Sequence, residues 1–190
     1  HLVQSCTGGA GRLFLALAGM DAADADAALE TGLRAGARGI VLHRCVGLRD
    51  VQHLSAKLAV HEAEQDLAEG AIDIVAVVAD TAAGILALPS LAGAPLPRLL
   101  ALACDTGLLR AELGCGPDAA ALRSAAAATV TCAAAAGAVA LAIASAEDQD
   151  DSLRELRRDG FGAVLVRTAP QAALARRIFA EVRPLPGVSG

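Results

Sequence analysis

Residues 72–81 read Ile72-Asp73-Ile74-Val75-Ala76-Val77-Val78-Ala79-Asp80-Thr81. Apart from Asp73, the first eight positions are apolar, and they do not alternate with polar ones. A strand that alternates has one wet face; a strand that stays apolar throughout is covered on both. Strands covered on both faces belong to parallel sheets wrapped by helices. Five further runs have the same character: Arg12–Ala18, Gly39–Leu42, Leu99–Ala103, Val139–Ile143 and Ala163–Val166.

The segments between these runs have helical periodicity. Asp24 to Ala35 begins among acidic residues and stops at Gly36. Leu48 to about Glu69 sets Val51, Leu54 and Leu58 on one face and stops at Gly70. An Ala-rich helix is expected from an N-cap at Asp118 to Gly137, and another from a cap at Ser152, carrying Leu153 and Leu156. Gln171 to Val182 places Leu174, Ile178, Phe179 and Val182 at helical spacing, before Pro184 and Pro186. Strand–helix alternation repeated about six times means a parallel sheet with right-handed crossovers. Two α/β architectures satisfy it: an open doubly wound sheet, or a TIM-barrel-like (β/α)8 fold left incomplete at about six βα units. A complete barrel takes about 250 residues, and this chain has 190. The whole chain, 1–190, reads as a single domain with a flexible leader over 1–11 and a loose tail over 184–190. The glycines of Thr7-Gly8-Gly9-Ala10-Gly11 precede a strand instead of opening a helix, so they lack the geometry of a phosphate loop.

Composition narrows the function. Hydrophobic residues make up 55% and aromatic residues 2%, with no Trp or Tyr, so Ala, Val, Leu and Ile must build the core. Lys and Arg number 16 against 21 Asp and Glu, a net charge of −5. That balance argues against a basic nucleic-acid-binding surface and against adhesion to anionic membranes. The most apolar stretch, 119–143, is broken by Arg123 and Gly137 and is rich in Ala, which excludes a spanning helix. No basic segment precedes an apolar run in the manner of a secretory signal. The five cysteines have neither C-x-x-C nor zinc spacing, and read as free buried thiols of a reducing cytoplasm.

In parallel α/β folds, chemistry gathers at the C-terminal ends of the strands. Here those ends carry His43-Arg44, Asp80-Thr81, Cys104-Asp105-Thr106, Ser145 with Glu147 and Asp148, and Arg167-Thr168. Adjacent parallel strands lie about 4.8 Å apart, so Asp80 and Asp105 could share one Mg²⁺ completed by water and substrate oxygens. The same two residues could instead cap helices over 81–87 and 108–113. Arg44, beside His43, suits a carboxylate ligand. His53 and His61 are eight residues apart on one helix and read as solvated. No Ser–His–Asp or Cys–His constellation is legible.

Several of these motifs are collinear with a known family. Gly36-Ala37-Arg38-Gly39-Ile40-Val41-Leu42-His43-Arg44, followed by Gly47-Leu48-Arg49-Asp50-Val51, resembles the HpcH/HpaI aldolase and citrate lyase beta-subunit family, whose pattern is Gly-Ala-Asp-Gly-Ile-Val-Leu-Pro-Lys before a Ser-Ala-Glu-Asp-Val helix start. Val78-Ala79-Asp80-Thr81-Ala82-Ala83-Gly84 resembles its Ile-Glu-Thr-x-x-Gly strand end. Leu102-Ala103-Cys104-Asp105 through Leu113-Gly114 resembles its Phe-Gly-x-x-Asp-Leu segment. Asp159-Gly160-Phe161-Gly162-Ala163 and Gln171 resemble its closing strand and the Gln after it.

The resemblance implies a (β/α)8 barrel that makes or breaks carbon–carbon bonds in 2-oxo acids or coenzyme A thioesters. It implies Mg²⁺ held by the Glu of Glu-Thr and a later Asp. Position by position, Asp80 stands for that Glu, and Leu108 stands for the later Asp, with Asp105 as a substitute ligand. His43-Arg44 replaces Pro-Lys, and Arg167-Thr168-Ala169 replaces Ile-His-Pro. The first two βα units have no counterpart. The expectation is a Mg²⁺-assisted, citrate lyase beta-subunit-like lyase with a degraded site. Asp80 and Asp105 would hold the metal, and Arg44 and Arg167 would bind a small anionic substrate, an oxo acid or acyl-CoA. The alternative is a catalytically inactive homologue serving as a binding or accessory subunit. A homo-oligomer is expected in either case, because an incomplete barrel leaves sheet edges to cover.

Overall fold

The computed structural model describes residues 2–5, 12–145 and 149–179. All six expected strands form: β2 Arg12–Leu17, β3 Gly39–Leu42, β4 Asp73–Ala79, β5 Leu99–Cys104, β6 Val139–Ile143 and β7 Ala163–Leu165. One more, β1 Leu2–Ser5, falls inside the stretch expected as a leader and pairs antiparallel with β2. The rest of that stretch, 1 and 6–11, and the tail over 184–190 lie outside the described residues. The helices are α1 Ala25–Arg34, α2 Leu48–Glu64, α3 Ala82–Ala87, α4 Thr106–Leu113, α5 Ala120–Ala135, α6 Asp150–Arg158 and α7 Ala169–Phe179, with a 3₁₀ turn at Leu88–Leu91.

The sheet settles the choice of architecture. Its strands lie side by side in chain order, β1 to β7, and β2 to β7 are all parallel. A doubly wound sheet reverses its order at a switch point. Here every crossover steps the same way, and the six parallel strands curl into an incomplete α/β barrel.

Side chains divide accordingly between the two sheet faces. Ile40, Leu42, Ile74, Ala76, Leu102 and Ala140 pack with helix residues Leu29, Leu33, Val51, Leu54 and Leu58 in the main core. Phe14, Val41, Val75, Val77, Ala101, Ala103 and Ile143 form a second cluster from the intervening positions. Both sets are buried, which is why the strands show no apolar–polar alternation.

The N-terminal end of the sheet is fastened by a buried ion pair that the sequence reading did not identify. Glu62 is 2% exposed and Arg98 6%. They form a two-pronged pair, Nη1 to Oε1 at 2.5 Å and Nη2 to Oε2 at 2.7 Å, and Glu62 also accepts from the Gly70 and Ile72 N–H groups at 3.0 and 2.9 Å. Burial raises the Glu62 pKa, but Arg98 and the two backbone N–H groups outweigh it and hold the carboxyl below its usual range. Glu62 thereby ties α2 to the residues leading into β4 and β5.

Four expected helix boundaries move, the first being the start of α7, which lies at Ala169 instead of Gln171. Asp118 is not a cap: α5 starts from Ala119 without a side-chain cap, and the Asp118 carbonyl accepts from Arg123. Ser152 lies inside α6, which starts two residues earlier behind Gln149. The second helix, α2, ends at Glu64 instead of near Glu69. No helix among the described residues is long and apolar enough to cross a membrane.

Candidate active site

The C-terminal strand ends meet a cleft of about 800 Å³. Its walls come from Ala16, Leu17 and Ala18 at the end of β2, Asp24, Ala25 and Ala28 at the start of α1, and His43 and Arg44 after β3. Asp80 and Thr81 after β4, with Leu108 and Glu112 on α4, complete it.

A β-bulge sets the position of Asp80. Val77 lies opposite Ala103, but Ala79, not Val78, lies opposite Cys104. The extra residue shifts the register by one. Asp80 and Asp105 therefore leave the sheet side by side, joined by a bond from the Asp105 N–H to the Ala79 carbonyl at 3.1 Å.

Both aspartates are buried, at 3% and 4% exposure. The Asp80 Oδ2 accepts from the Arg44 N–H at 2.8 Å and lies 3.3 Å from His43 Nδ1. Arg44 takes a left-handed backbone conformation there, φ 51°. Such a conformation costs a residue with a side chain of order 1 kcal/mol or more, and the bond to Asp80 helps offset it. Asp105 does serve as the N-cap of α4, its Oδ1 accepting from the Leu108 N–H at 2.9 Å. The remaining oxygen of each residue, Asp80 Oδ1 and Asp105 Oδ2, is buried with no hydrogen-bond partner among the described residues. Asp80 itself caps nothing. That task falls to Thr81, whose Oγ1 accepts from the Gly84 N–H at 3.1 Å to start α3.

The glycine of this Asp-Thr-x-x-Gly motif has a steric role. A Cβ on Gly84 would sit 2.3 Å from the Val78 carbonyl oxygen and 3.0 Å from that of Cys45, so α3 can approach β4 only without one. Glu112 braces the same helix start, accepting from the Ala82 N–H at 3.0 Å, where a carboxylate is favoured by the helix dipole. Burial pushes the neighbouring Cys45 and Cys104 thiols up to about 12. Neither is a thiolate nucleophile at neutral pH.

The sequence-derived candidates thus separate. Arg44 and Asp80 line the cleft together, with His43 bonded between strand end and carboxylate. Asp105 stands next to Asp80 but does not line the cleft. Arg167 lies after β7, exposed and outside the cleft lining. Its backbone N–H is bound to the Gln171 side chain at 3.3 Å, while Gln171 Nε2 donates to the Ser145 carbonyl at 2.8 Å, linking the ends of β6 and β7. Asp24 and Glu112 are cleft carboxylates the sequence reading missed. Glu112 had a signal, since it lies one helical turn beyond Leu108. Leu108 is 48% exposed and gives the cleft an apolar surface where the resemblance implies a carboxylate. Among the described residues no group of three or more His, Cys, Asp or Glu side chains is placed to hold a metal.

Each aspartate nonetheless keeps one buried oxygen to which no hydrogen bond is made among the described residues. Buried polar atoms rarely lack a partner, and an ion is one explanation when they do. Mg²⁺ commonly takes one or two carboxylates and keeps several waters.

No family model matches the chain, and no curated protein matches it. Solved structures do. RipC from Yersinia pestis superposes with a TM-score of 0.69 at 19% identity, over 90% of this chain and 79% of RipC. A citrate lyase from Burkholderia xenovorans gives 0.75 at 18% identity, over 87% of this chain and 56% of that protein. CitE from Mycobacterium tuberculosis, in complex with magnesium and acetate, gives 0.67 at 20% identity, over 90% and 69%. The chain thus spans little more than half of the Burkholderia protein. Together with the strand order, these likenesses establish that the chain has the fold of citrate lyase beta-subunit-like proteins.

Proposed function

We propose that the cleft is the active site of a carbon–carbon lyase acting on a small 2-oxo acid or an acyl-CoA thioester with Mg²⁺. The observation that carries this reading is the pair of side-by-side aspartates, each with one buried oxygen lacking a partner. Asp80 and Asp105 would hold the cation. Mg²⁺ would supply a Lewis acid that polarises the substrate carbonyl and stabilises the enolate left by bond cleavage. Arg44 is the substrate-binding cation of this reading, in preference to Arg167, because it lines the cleft. Its guanidinium suits a substrate carboxylate. The Arg44 N–H fixes Asp80 Oδ2, so the anion-binding residue and the metal carboxylate are placed by one turn. Thr81 and Glu112 hold α3 in position behind them. CitE, a protein of the same fold, was crystallised with magnesium and acetate, which is consistent with a carboxylate and a cation sharing such a site.

The test is Mn²⁺ binding followed by electron paramagnetic resonance, with and without oxaloacetate, in the unaltered protein and in Asp80→Asn and Asp105→Asn. Asn caps helices about as well as Asp, so Asp105→Asn keeps α4 while removing a metal-ligating charge. Saturable Mn²⁺ binding lost in both variants supports the proposal. Absence of Mn²⁺ binding with or without oxaloacetate overturns it.

Exposed Leu108 in the cleft favours a second reading, a binding or accessory subunit without turnover. Acyl-CoA or oxo-acid binding without bond cleavage would identify it. Light scattering would then show whether the protein assembles with copies of itself, as a covered sheet edge requires.

A further inference from the structure

A second cleft, of about 460 Å³, lies between α6 and α7 and is lined by Arg154, Arg157, Arg177 and Ile178. Both helices follow parallel strands and return toward the N-terminal end of the sheet. Their last turns, which carry Arg157 and Arg177, are therefore remote from the cleft described above.

The charge balance there is unusual for a chain with net charge −5. Arg154 is paired with Asp150 one helical turn away, at 3.0 and 3.2 Å. Among the described residues Arg157 and Arg177 have no hydrogen-bond or ion-pair partner, and no carboxylate lines the groove. Basic residues in a last turn complement the helix dipole, which accounts for Arg157 and Arg177 one at a time. It does not account for their convergence with Arg154, one turn into α6, on one concave surface. Like charges so gathered repel, and an anion between them relieves the repulsion.

We infer that this groove binds a phosphate-bearing small molecule, with Arg157 and Arg177, unpaired among the described residues, as two guanidinium forks and Arg154 as a third. Guanidinium groups match phosphate oxygens two at a time, and a diphosphate presents enough oxygens to engage all three.

The test is calorimetric titration of the full chain with inorganic pyrophosphate, inorganic phosphate and tricarballylate at constant ionic strength. The variants are Arg157→Gln and Arg177→Gln, which leave the strand-end cleft untouched. Pyrophosphate should bind saturably and more tightly than phosphate, and each substitution should weaken it at least about tenfold. Circular dichroism should show both variants folded. Absence of saturable heat, equal affinity for tricarballylate, or affinity unchanged by both substitutions overturns the inference. If the arginines serve only the helix dipoles, the variants lose a little thermal stability and pyrophosphate binds to none of the proteins.

Discussion

Arg98→Met removes the guanidinium that grips both oxygens of Glu62 while leaving the carboxylate where it is. The pair is almost wholly shielded, with Glu62 at 2% and Arg98 at 6% exposure, so water does not take the place of the lost bonds. Glu62 keeps its two backbone N–H donors, from Gly70 and Ile72, and loses the only countercharge bonded to it among the described residues. Breaking a buried pair from one side costs about 3–5 kcal/mol, and at roughly 2–4 °C per kcal/mol for a chain of this size the Tm should fall by about 6–20 °C. The chain has no Trp or Tyr, so far-ultraviolet circular dichroism is the assay.

The pH dependence carries the diagnosis. Because the folded Glu62 pKa is lowered, its stabilisation is present above the unfolded value of about 4.3 and is lost as pH falls through the folded value. In Arg98→Met, burial is no longer opposed by Arg98, so Glu62 takes its proton at higher pH. The gap between the two proteins should narrow on acidification. A Glu62→Met/Arg98→Met double variant should recover most of the loss, since removing both partners leaves no unpaired charge. A loss below about 1 kcal/mol, the range of solvent-exposed pairs, or a gap that stays constant with pH, would refute the reasoning.

Gly84→Ala should destabilise by about 1–3 kcal/mol or more, because the new methyl would meet the Val78 carbonyl at 2.3 Å; thermal melts measure it, and an unchanged Tm would contradict the close approach of α3 to β4. Cys45 and Cys104 should resist an aromatic disulfide reagent in the folded protein at mildly alkaline pH, while Cys115, which is partly exposed, reacts; mass spectrometry of the labelled peptides decides this. Asp73→Asn should leave stability within about 1 kcal/mol at neutral pH, or raise it. Burial raises the Asp73 pKa more than its bond to Arg12 lowers it, so the charged form gains no net stability from folding and the residue stabilises the fold more as pH falls. A loss of several kcal/mol on melting would reverse that sign.

The six parallel strands were legible because each lies under helices on one face and under the second cluster on the other, which writes a continuous apolar run into the chain. Their order was not. Nothing local distinguishes a one-directional crossover from one that reverses, and the barrel came from collinear motifs such as Asp80-Thr81-x-x-Gly84. Helix starts at Asp118 and Ser152 failed because capping residues are common in loops, and a cap forms only where the backbone turns correctly. Glu62 carries a signal in the sequence. It continues the stripe Val51, Leu54, Leu58 at the next helical step, and a carboxylate in a buried stripe requires a cation from elsewhere. Arg98 lies 36 residues away, beyond any local pattern. The cleft was legible in part. His43, Arg44 and Asp80 follow their strands directly, whereas Asp24 and Glu112 reach it from helices.

A strand has only two phases, and the single extra residue at Val78 selects which one β4 carries into the rim. Loss or gain of one residue at that point would exchange the side chains presented upward while the layers beneath stayed in place. The bulge is therefore a point at which the chemistry of this mouth can be rewritten by one codon without rebuilding the scaffold.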